Sequence, residues 1–140
     1  VRSALPLAIR DRGGDAFDLA GRAGRIVVLN LWAPWCEPCR REMPSLSRLA
    51  GKVAHLPLDV LPVAFERRGA AAVTKFYADN GIANLPVLLG DGDNLDAVLG
   101  LKRLPTTAIL NRRGDHWLTV EGEAVWDDDG TLEWLAAMAA

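Results

Sequence analysis

The apolar residues of this chain fall into short continuous runs that alternate with stripes of helical spacing. Continuous runs rich in aliphatic and β-branched residues predict strands, whereas apolar positions three to four residues apart predict helices. The predicted strands are residues 25–32, 58–65, 85–90, 104–111 and 117–120. The predicted helices are residues 36–49, 69–80, a short amphipathic piece at 95–99, and a last helix capped by Asp129 or Thr131.

The order of these elements predicts the fold class. Strand and helix alternate twice before a pair of strands and a closing helix, and helical crossovers join parallel strands whereas short turns join antiparallel ones. Residues 25–32 are apolar almost throughout, as expected of a central strand that is covered on both faces. We therefore expect an α/β fold with a central mixed β-sheet and helices on both faces. Pro44 is expected to kink the helix at 36–49, because proline lacks a backbone donor.

The chain is expected to form a single domain over residues 1–140, because its length is typical of one domain and it shows no repeat, low-complexity tract or linker. Residues 1–17 mix short apolar runs with charged residues, and they are expected to form an irregular lead-in or a hairpin that turns at Gly13 and Gly14. The first residues do not show the charged, apolar and small-residue regions of a signal peptide.

The charge balance argues against one class of partner. Sixteen Lys and Arg residues stand against eighteen Asp and Glu residues, a formal net charge of −2, so a nucleic-acid partner is not expected. The apolar runs have the length of strands and are far shorter than the roughly 20 residues that span a bilayer. The composition therefore favours a soluble globular protein.

The candidate chemistry lies in the stretch WAPWCEPC, which contains both cysteines of the chain. Cys36 follows a predicted buried strand and begins a predicted helix, where unpaired backbone N–H groups and the helix dipole stabilise a thiolate. A stabilised thiolate is nucleophilic, so Cys36 is the candidate nucleophile. Cys39 lies one helical turn further on the same face, close enough to form a disulfide, and is the candidate resolving thiol.

Two other uses of such a pair have less support in the sequence. A zinc site with this spacing needs a second pair of Cys or His ligands, and His55 and His116 are isolated from each other, so no metal is expected. A purely structural disulfide that closes so short a loop would constrain the unfolded chain little. Redox chemistry of the Cys36–Cys39 pair is therefore the favoured interpretation, with no cofactor beyond the redox-active disulfide itself.

The residues WAPWCEPC, followed by RREMP and later by LPTT, resemble the thioredoxin superfamily and, within it, the TlpA-like thiol-disulfide oxidoreductases. The resemblance extends over residues 18–138. It implies a thioredoxin-like fold in which Pro105 has a cis peptide bond and packs against the cysteine pair. It also implies a shallow apolar docking surface for an extended substrate segment. The residues of that surface are Trp35, Leu104, Pro105 and Thr106. From the residues alone, Pro105 could instead begin an edge strand.

Glu42 matches an acidic residue that the cytochrome c maturation members of this group, the ResA and CcmG type, carry three positions after the second cysteine. The match implies a proton acceptor for Cys39 with a pKa raised by burial. The alternative is a solvated helix glutamate paired with a nearby arginine. Ordinary cytosolic thioredoxins carry a buried aspartate at the position of Asn30, so Asn30 together with Glu42 favours the TlpA-like branch.

The resemblance implies a protein-disulfide oxidoreductase that exchanges the Cys36–Cys39 dithiol with disulfides of other proteins, in the reducing direction, as in cytochrome c maturation. The implied partners are disulfide-containing proteins and an upstream thiol electron donor that can be membrane-embedded. The implied location is outside the cytoplasm, in the periplasm or on a membrane anchor, and a monomer is expected. The alternatives are a general thioredoxin, a thiol peroxidase and, from another class, a Cu(I)-binding chaperone that uses both thiolates.

Overall fold

Six strands form one mixed β-sheet in the computed structural model, which describes residues 8–91 and 103–140. The strands are β1 (Ile9–Arg10), β2 (Ile26–Trp32), β3 (Leu58–Ala64), β4 (Leu88–Gly90), β5 (Thr106–Leu110) and β6 (His116–Glu121). Their order across the sheet is β1-β4-β3-β2-β5-β6. The helices are α1 (Glu37–Lys52), α2 (Ala70–Asp79) and α3 (Asp129–Ala139), and residues Ala20–Arg22 form a 3-10 turn. The predicted piece at 95–99 lies outside the described residues.

β2 is the central strand, as its apolar sequence predicts. All seven of its residues are buried. It pairs in parallel with β3, from Ile26 opposite Leu58 to Trp32 opposite Ala64, and it pairs antiparallel with β5 on its other side. β3 continues in parallel to β4, whereas β1 on β4 and β6 on β5 are antiparallel. The predicted mixed sheet is therefore confirmed.

Alternate side chains of β2 point to opposite faces of the sheet and belong to two separate core clusters. Val28 and Trp32 belong to the cluster to which α1, α2 and α3 contribute. Leu29 and Leu31 belong to the second cluster, which in the described part of the chain also contains residues of β3 and of the lead-in. The sheet thus holds α1 against one face, and the helix begins shortly after the carboxyl end of β2.

Helix α1 packs on the sheet through the stripe that its sequence predicts. Met43, Leu46 and Leu49 are fully buried, at positions three residues apart that share one face. The helix continues through Pro44, whose missing N–H leaves the carbonyl of Arg40 without its usual intrahelical partner. The packing of this stripe fixes the position of the first turn of α1, which follows directly from Cys36.

The strand predicted at 85–90 is shorter in the structure. β4 begins only at Leu88, because Pro86 has no N–H for the sheet ladder and its carbonyl accepts a hydrogen bond from the Tyr77 hydroxyl at 2.9 Å. The lead-in does turn as a hairpin, with Arg10 bridged to Ala16 in antiparallel fashion. It also supplies β1, an edge strand on β4 that the sequence pattern does not predict.

The N-cap of α3 also differs from the prediction. It is Asp128, and not Asp129 or Thr131. The backbone of Asp128 is extended, and its carboxylate accepts the backbone N–H of Thr131 at 2.8 Å. That bond to the third helical residue is the one by which an acidic N-cap satisfies an unpaired donor of the first turn, so the helix begins at Asp129.

We predict that Leu46→Ala lowers the free energy of unfolding by about 2–5 kcal/mol, because truncation of a fully buried leucine loses apolar burial and leaves a cavity. Urea denaturation followed by circular dichroism measures the change. Val125→Ala truncates an exposed aliphatic side chain and is the control, with an expected change below about 0.5 kcal/mol. A loss below about 1 kcal/mol for Leu46→Ala would contradict the packing of α1 on the sheet.

Candidate active site

The two cysteines lie at the start of α1, shortly after the carboxyl end of β2. Cys36 is the N-cap residue of the helix, with extended backbone angles (φ −96°, ψ 114°), and Cys39 lies in the first turn. A disulfide joins them, with the two Cα atoms 5.3 Å apart. The structure thus brings the two cysteines together at the junction where the sequence predicts them.

The two cysteines differ in exposure. Cys36 is 9% exposed, whereas Cys39 is 0% exposed. A partner disulfide can therefore reach Cys36 but not Cys39, which suits Cys36 for attack and Cys39 for release of a covalent partner. The difference follows from the helix, because the N-cap residue lies at the helix end and the third helical residue faces the core.

The position of Cys36 at the helix start bears on its reactivity. An N-cap side chain normally accepts the N–H of the second or third helical residue. The second is Pro38, which has no N–H, so the donor that is left is the backbone N–H of Cys39. In the disulfide form the Cys36 side chain makes no cap hydrogen bond, so the feature of the structure that favours a thiolate at this position is the positive end of the α1 dipole.

Glu42 is buried one helical turn beyond Cys39, on the face of α1 that packs against the sheet. Its Oε1 atom accepts the side-chain N–H of Asn30 at 2.7 Å, and its Oε2 atom accepts the backbone N–H of Ala124 at 2.8 Å. The alternative of a solvated glutamate paired with an arginine is therefore wrong. Residues three apart on a helix are neighbours, so Glu42 and Cys39 share one face of α1.

Opposing effects act on the ionisation of Glu42. Burial raises the pKa of its carboxyl above the ordinary value, and the nearby charge of Glu123 acts in the same direction. Hydrogen bonds from Ala124 and Asn30 favour the carboxylate, and the Trp126 side chain also acts to lower the pKa, but the net result is a raised pKa. The carboxyl therefore changes its charge closer to neutral pH than an exposed glutamate does.

Asn30 connects Glu42 to the sheet. It lies on β2 opposite Thr107 of β5, and its Nδ2 atom also donates to the Thr107 hydroxyl at 3.0 Å. Asn30 and Thr107 are both fully buried. The two central strands therefore hold one side of the Glu42 carboxyl. The contact with Thr107 is not predicted from the sequence, although a lone polar residue within the apolar run of β2 is a signal that could indicate a buried polar partner.

The other side of the carboxyl is held by residues 123–127, which connect β6 to α3 and which we call the strap. Its residues bind α1 along two turns of the helix. The contacts are Glu123 to Arg41 (2.6 Å), Ala124 N–H to Glu42 (2.8 Å), Trp126 N–H to the Ser45 hydroxyl (3.2 Å) and Asp127 to Arg48 (2.7 Å).

The contacts of the strap with α1 are not predicted from the sequence. From the sequence, the acidic residues before the last helix indicate only a cap for that helix. The signal that could reveal it is a match of charges. Acidic residues stand at both ends of the strap, and two arginines stand two helical turns apart on α1, which places them on one face.

The residues predicted for substrate docking lie around Cys36. The Leu104–Pro105 peptide bond is cis, as the resemblance implies, and the Leu104 carbonyl oxygen lies 3.9 Å from Cys36 Sγ. The alternative in which Pro105 begins an edge strand is wrong, because β5 lies between β2 and β6. Trp35 is 65% exposed, and its indole N–H donates to the Phe65 carbonyl at 3.2 Å.

Pro105 and Thr106 differ from Trp35 and Leu104, because both are buried. The Thr106 hydroxyl donates to the Arg103 carbonyl at 2.6 Å. Thr106 therefore fixes the turn before β5, and it offers little surface to a partner.

Charged side chains near the cysteines are engaged with other groups. Arg41 binds Glu123 at 2.6 Å and lies 3.8 Å from Glu37, and the guanidinium of Arg40 lies 5.8 Å from the centre of the Phe76 ring. The positive charge that the sequence places after the cysteines is thus partly compensated. The helix end then remains as a stabiliser of the Cys36 thiolate.

Within residues 8–91 and 103–140, no group of three or more His, Cys, Asp or Glu side chains is arranged to hold a metal ion. His116, one of the two histidines of the chain, shares a 2.7 Å hydrogen bond with the Thr119 hydroxyl. No helix in the same part of the chain is long and apolar enough to cross a membrane.

Known proteins are similar to this chain over most of its length. The AhpC/TSA family matches residues 3–133. The chain is 29% identical over 112 residues to Thiol-disulfide oxidoreductase ResA of Halalkalibacterium halodurans, which covers 80% of this chain and 62% of that protein. It is 31% identical over 114 residues to Thioredoxin-like protein YneN of Bacillus subtilis, which covers 81% of this chain and 66% of that protein. The chain thus spans less than two thirds of the length of these two relatives.

The structure is similar to a crystal structure of a thiol:disulfide interchange protein of the thioredoxin family from Chlorobium tepidum TLS. The TM-score is 0.76 at 20% identity, and the match covers 97% of each chain. At this identity the likeness shows the fold, and the predicted thioredoxin-like fold is confirmed. The family match covers residues 3–133, which is most of the chain. The chain, with its disulfide at the start of α1, therefore belongs to the AhpC/TSA family.

Proposed function

We propose that the protein is a thiol-disulfide oxidoreductase that exchanges its Cys36–Cys39 dithiol with disulfides of other proteins. The observation that carries the proposal is a disulfide at a helix start in which one cysteine keeps slight exposure, 9%, and the other is fully buried. The names of the relatives, Thiol-disulfide oxidoreductase ResA and Thioredoxin-like protein YneN, support the same class of activity. The reaction needs no small cofactor, because the two thiols carry both electrons.

The exchange has two steps in the reducing direction. The Cys36 thiolate attacks one sulfur of the partner disulfide, so that a mixed disulfide forms and the other partner sulfur leaves as a thiolate. Cys39 then loses its proton and attacks Cys36 Sγ, which breaks the mixed disulfide and releases the second partner thiolate. The protein ends as the Cys36–Cys39 disulfide. The partner ends as a dithiol after it has gained two electrons and two protons.

Glu42 is proposed as the proton acceptor for Cys39 in the second step. Cys39 is fully buried, so its proton cannot pass directly to bulk water. The Glu42 carboxyl lies one helical turn away on the same face, and burial raises its pKa toward the range in which a base can accept a proton from a thiol. A buried base beside Cys39 assists the resolving step. It takes no part in the first step, in which Cys36 attacks the partner disulfide.

Substrate binding is proposed at the surface around Cys36. Trp35 offers an exposed aromatic face. The Leu104 carbonyl, beside Cys36 Sγ, is placed to accept a backbone N–H from an extended substrate segment. Pro105 and Thr106 follow Leu104 and are both buried, and the Thr106 hydroxyl holds the turn through its bond to the Arg103 carbonyl.

The charges around the site support the reducing direction. A pair whose reduced form is strongly stabilised is an oxidant, whereas a pair with less stabilisation is a reductant. Arg41 is paired with Glu123, and Arg40 lies over an aromatic ring. Glu37 and Glu42 oppose a thiolate by their negative charge. The resemblance to the cytochrome c maturation group favours the same direction.

The partners and the location are proposed from the same resemblance. The partners are disulfide-containing proteins outside the cytoplasm, among them proteins of cytochrome c maturation, and an upstream thiol donor restores the dithiol. The protein is proposed to act as a monomer, with residues 1–140 as a single domain, in the periplasm or on a membrane anchor.

We predict that Cys39→Ser traps a covalent complex with a disulfide-containing partner, because Cys36 can attack but the mixed disulfide has no resolving thiol. The adduct is measured by intact-mass spectrometry after mixing with a peptide that contains one intramolecular disulfide, and dithiothreitol should remove it. Cys36→Ser is the matched control. It is expected to form no adduct, because the remaining Cys39 is buried.

The absence of any mixed disulfide with Cys39→Ser would contradict the proposed exchange. Peroxide reduction that persists in Cys39→Ser without an adduct would favour the thiol peroxidase alternative. Binding of one Cu(I) ion by the dithiol form, lost in both variants, would favour the chaperone alternative.

We predict that Glu42→Gln slows the resolving step by about 100-fold at neutral pH, because the buried base is lost. Burial raises the pKa of Glu42, so the wild-type carboxyl becomes protonated as pH falls through that pKa and can then accept no proton. Wild type and variant should therefore converge at acid pH and differ at neutral pH. Rapid-quench measurement of mixed-disulfide decay across this range tests the prediction.

Glu133→Gln changes an exposed glutamate of α3 and is the control for this experiment, with an expected profile equal to that of wild type. A Glu42→Gln profile that also matches wild type would show that Cys39 passes its proton elsewhere.

A further inference from the structure

The strap turns one large side chain toward the helix. The backbone N–H groups of Ala124 and Trp126 both donate to α1, to the Glu42 carboxyl and to the Ser45 hydroxyl. Val125, between them, is 62% exposed, whereas Trp126 is 4% exposed and belongs to the core cluster around α1. The Trp126 indole is therefore buried beside the part of α1 that carries Glu42.

The Trp126 indole N–H lacks a completed hydrogen bond. Its Nε1 atom is buried and forms no bond of acceptable geometry with any of the residues that the structure describes. A buried N–H without an acceptor is costly, and such groups are rare in folded proteins. The strap bonds to Glu42 through the Ala124 N–H and to Ser45 through the Trp126 backbone N–H, so the indole is buried against the stretch of α1 that carries the Glu42 carboxyl. The Trp126 side chain also favours the ionised form of that carboxyl and lowers its pKa.

The Glu42 carboxyl has room for this donor. Each of its oxygens accepts one N–H, from Asn30 and from Ala124. An ionised carboxylate has about four acceptor positions, whereas a protonated carboxyl uses one oxygen as a donor and has fewer. A third donor therefore binds the ionised form better than the neutral form.

We propose that Trp126 is a positioning residue for Glu42, and that its indole N–H completes a hydrogen bond to the carboxylate when Glu42 loses its proton. The indole then stabilises the ionised form and holds the carboxylate in one orientation. The consequence for exchange rests on the proposed function, because the orientation matters to the resolving step only if Glu42 accepts the proton of Cys39. The hydrogen bond itself does not depend on that role.

Most groups that face Glu42 are neutral or already paired, so a neutral donor such as the indole can influence its ionisation. β2 and β5 contribute the neutral side chains of Asn30 and Thr107, and the strap contributes Glu123. α1 contributes the disulfide, which does not titrate, and Arg41, whose hydrogen bond to Glu123 at 2.6 Å lowers the pKa of that carboxyl. Glu123 therefore stays ionised and paired in the range where Glu42 titrates.

A pH titration of the wild-type disulfide form tests the proposal without any substitution. Carboxyl carbon resonances follow Glu42, which is assigned by its loss in Glu42→Gln, and indole N–H resonances follow Trp126, which is assigned through the backbone of the strap. We expect the Trp126 indole proton to move downfield with the same midpoint as the Glu42 carboxyl. The buried indole of Trp32, which also lacks a partner among the described residues, is the internal control and should not follow that midpoint.

Trp126→Phe removes the N–H and keeps most of the ring packing. We expect the midpoint of the Glu42 titration to move upward by about one pH unit, the size expected for loss of a hydrogen bond to a charged group. The resolving step should slow by about tenfold below the shifted midpoint and recover at higher pH. Trp32→Phe is the matched control, and its Glu42 midpoint should equal that of wild type.

An indole resonance that stays constant through the Glu42 titration would overturn the proposal, and so would a Trp126→Phe midpoint equal to that of wild type. If Trp126→Phe does not fold, the wild-type titration decides alone. A normal indole response together with no mixed disulfide in Cys39→Ser would overturn the proposed function and leave the hydrogen bond standing.

Discussion

The burial of the Glu42 carboxyl is a constraint on which much of this structure depends. An ionisable group removed from water needs hydrogen-bond partners, because a buried charge without them costs several kcal/mol. Glu42 has such partners on two sides, from Asn30 on the central strand and from Ala124 on the strap. The strap must lie along α1 to provide its N–H, and Arg41 and Arg48 bind its two ends there. The central strand, α1 and the strap are thus linked through one side chain.

The same helix gives the two sulfurs different environments. Its start leaves Cys36 slightly exposed, after the exposed Trp35 in the chain and 3.9 Å from the Leu104 carbonyl oxygen. Its first turn places Cys39 in the core, on the face that carries Glu42. Polar groups therefore lie on the side of the buried sulfur, and the residues predicted for docking lie on the side of the more exposed one. The proposed exchange requires no deep pocket, because a partner disulfide would meet Cys36 at the surface and the bond would then pass inward to Cys39.

The fold and the cysteine pair could be predicted from the sequence because they follow from local patterns. The apolar run of β2, the stripe on α1 and the position of Cys36 at a strand end and a helix start are properties of neighbouring residues. β1 could not be predicted, since a strand of two residues shows no periodicity. The strap could not be predicted either, because its bond to Glu42 joins residues 82 positions apart. Burial of Glu42 was implied by resemblance, and its partners depend on that distant contact.

The central proposal is that the Cys36–Cys39 pair stores two electrons and donates them to disulfides. Equilibration of the protein with mixtures of reduced and oxidised glutathione, followed by thiol trapping and mass spectrometry, tests it most directly. We expect a single two-electron transition in which both cysteines change together, at a potential of about −270 mV, as for a reductant. A potential of about −120 mV, or two cysteines that are oxidised independently, would contradict the proposal.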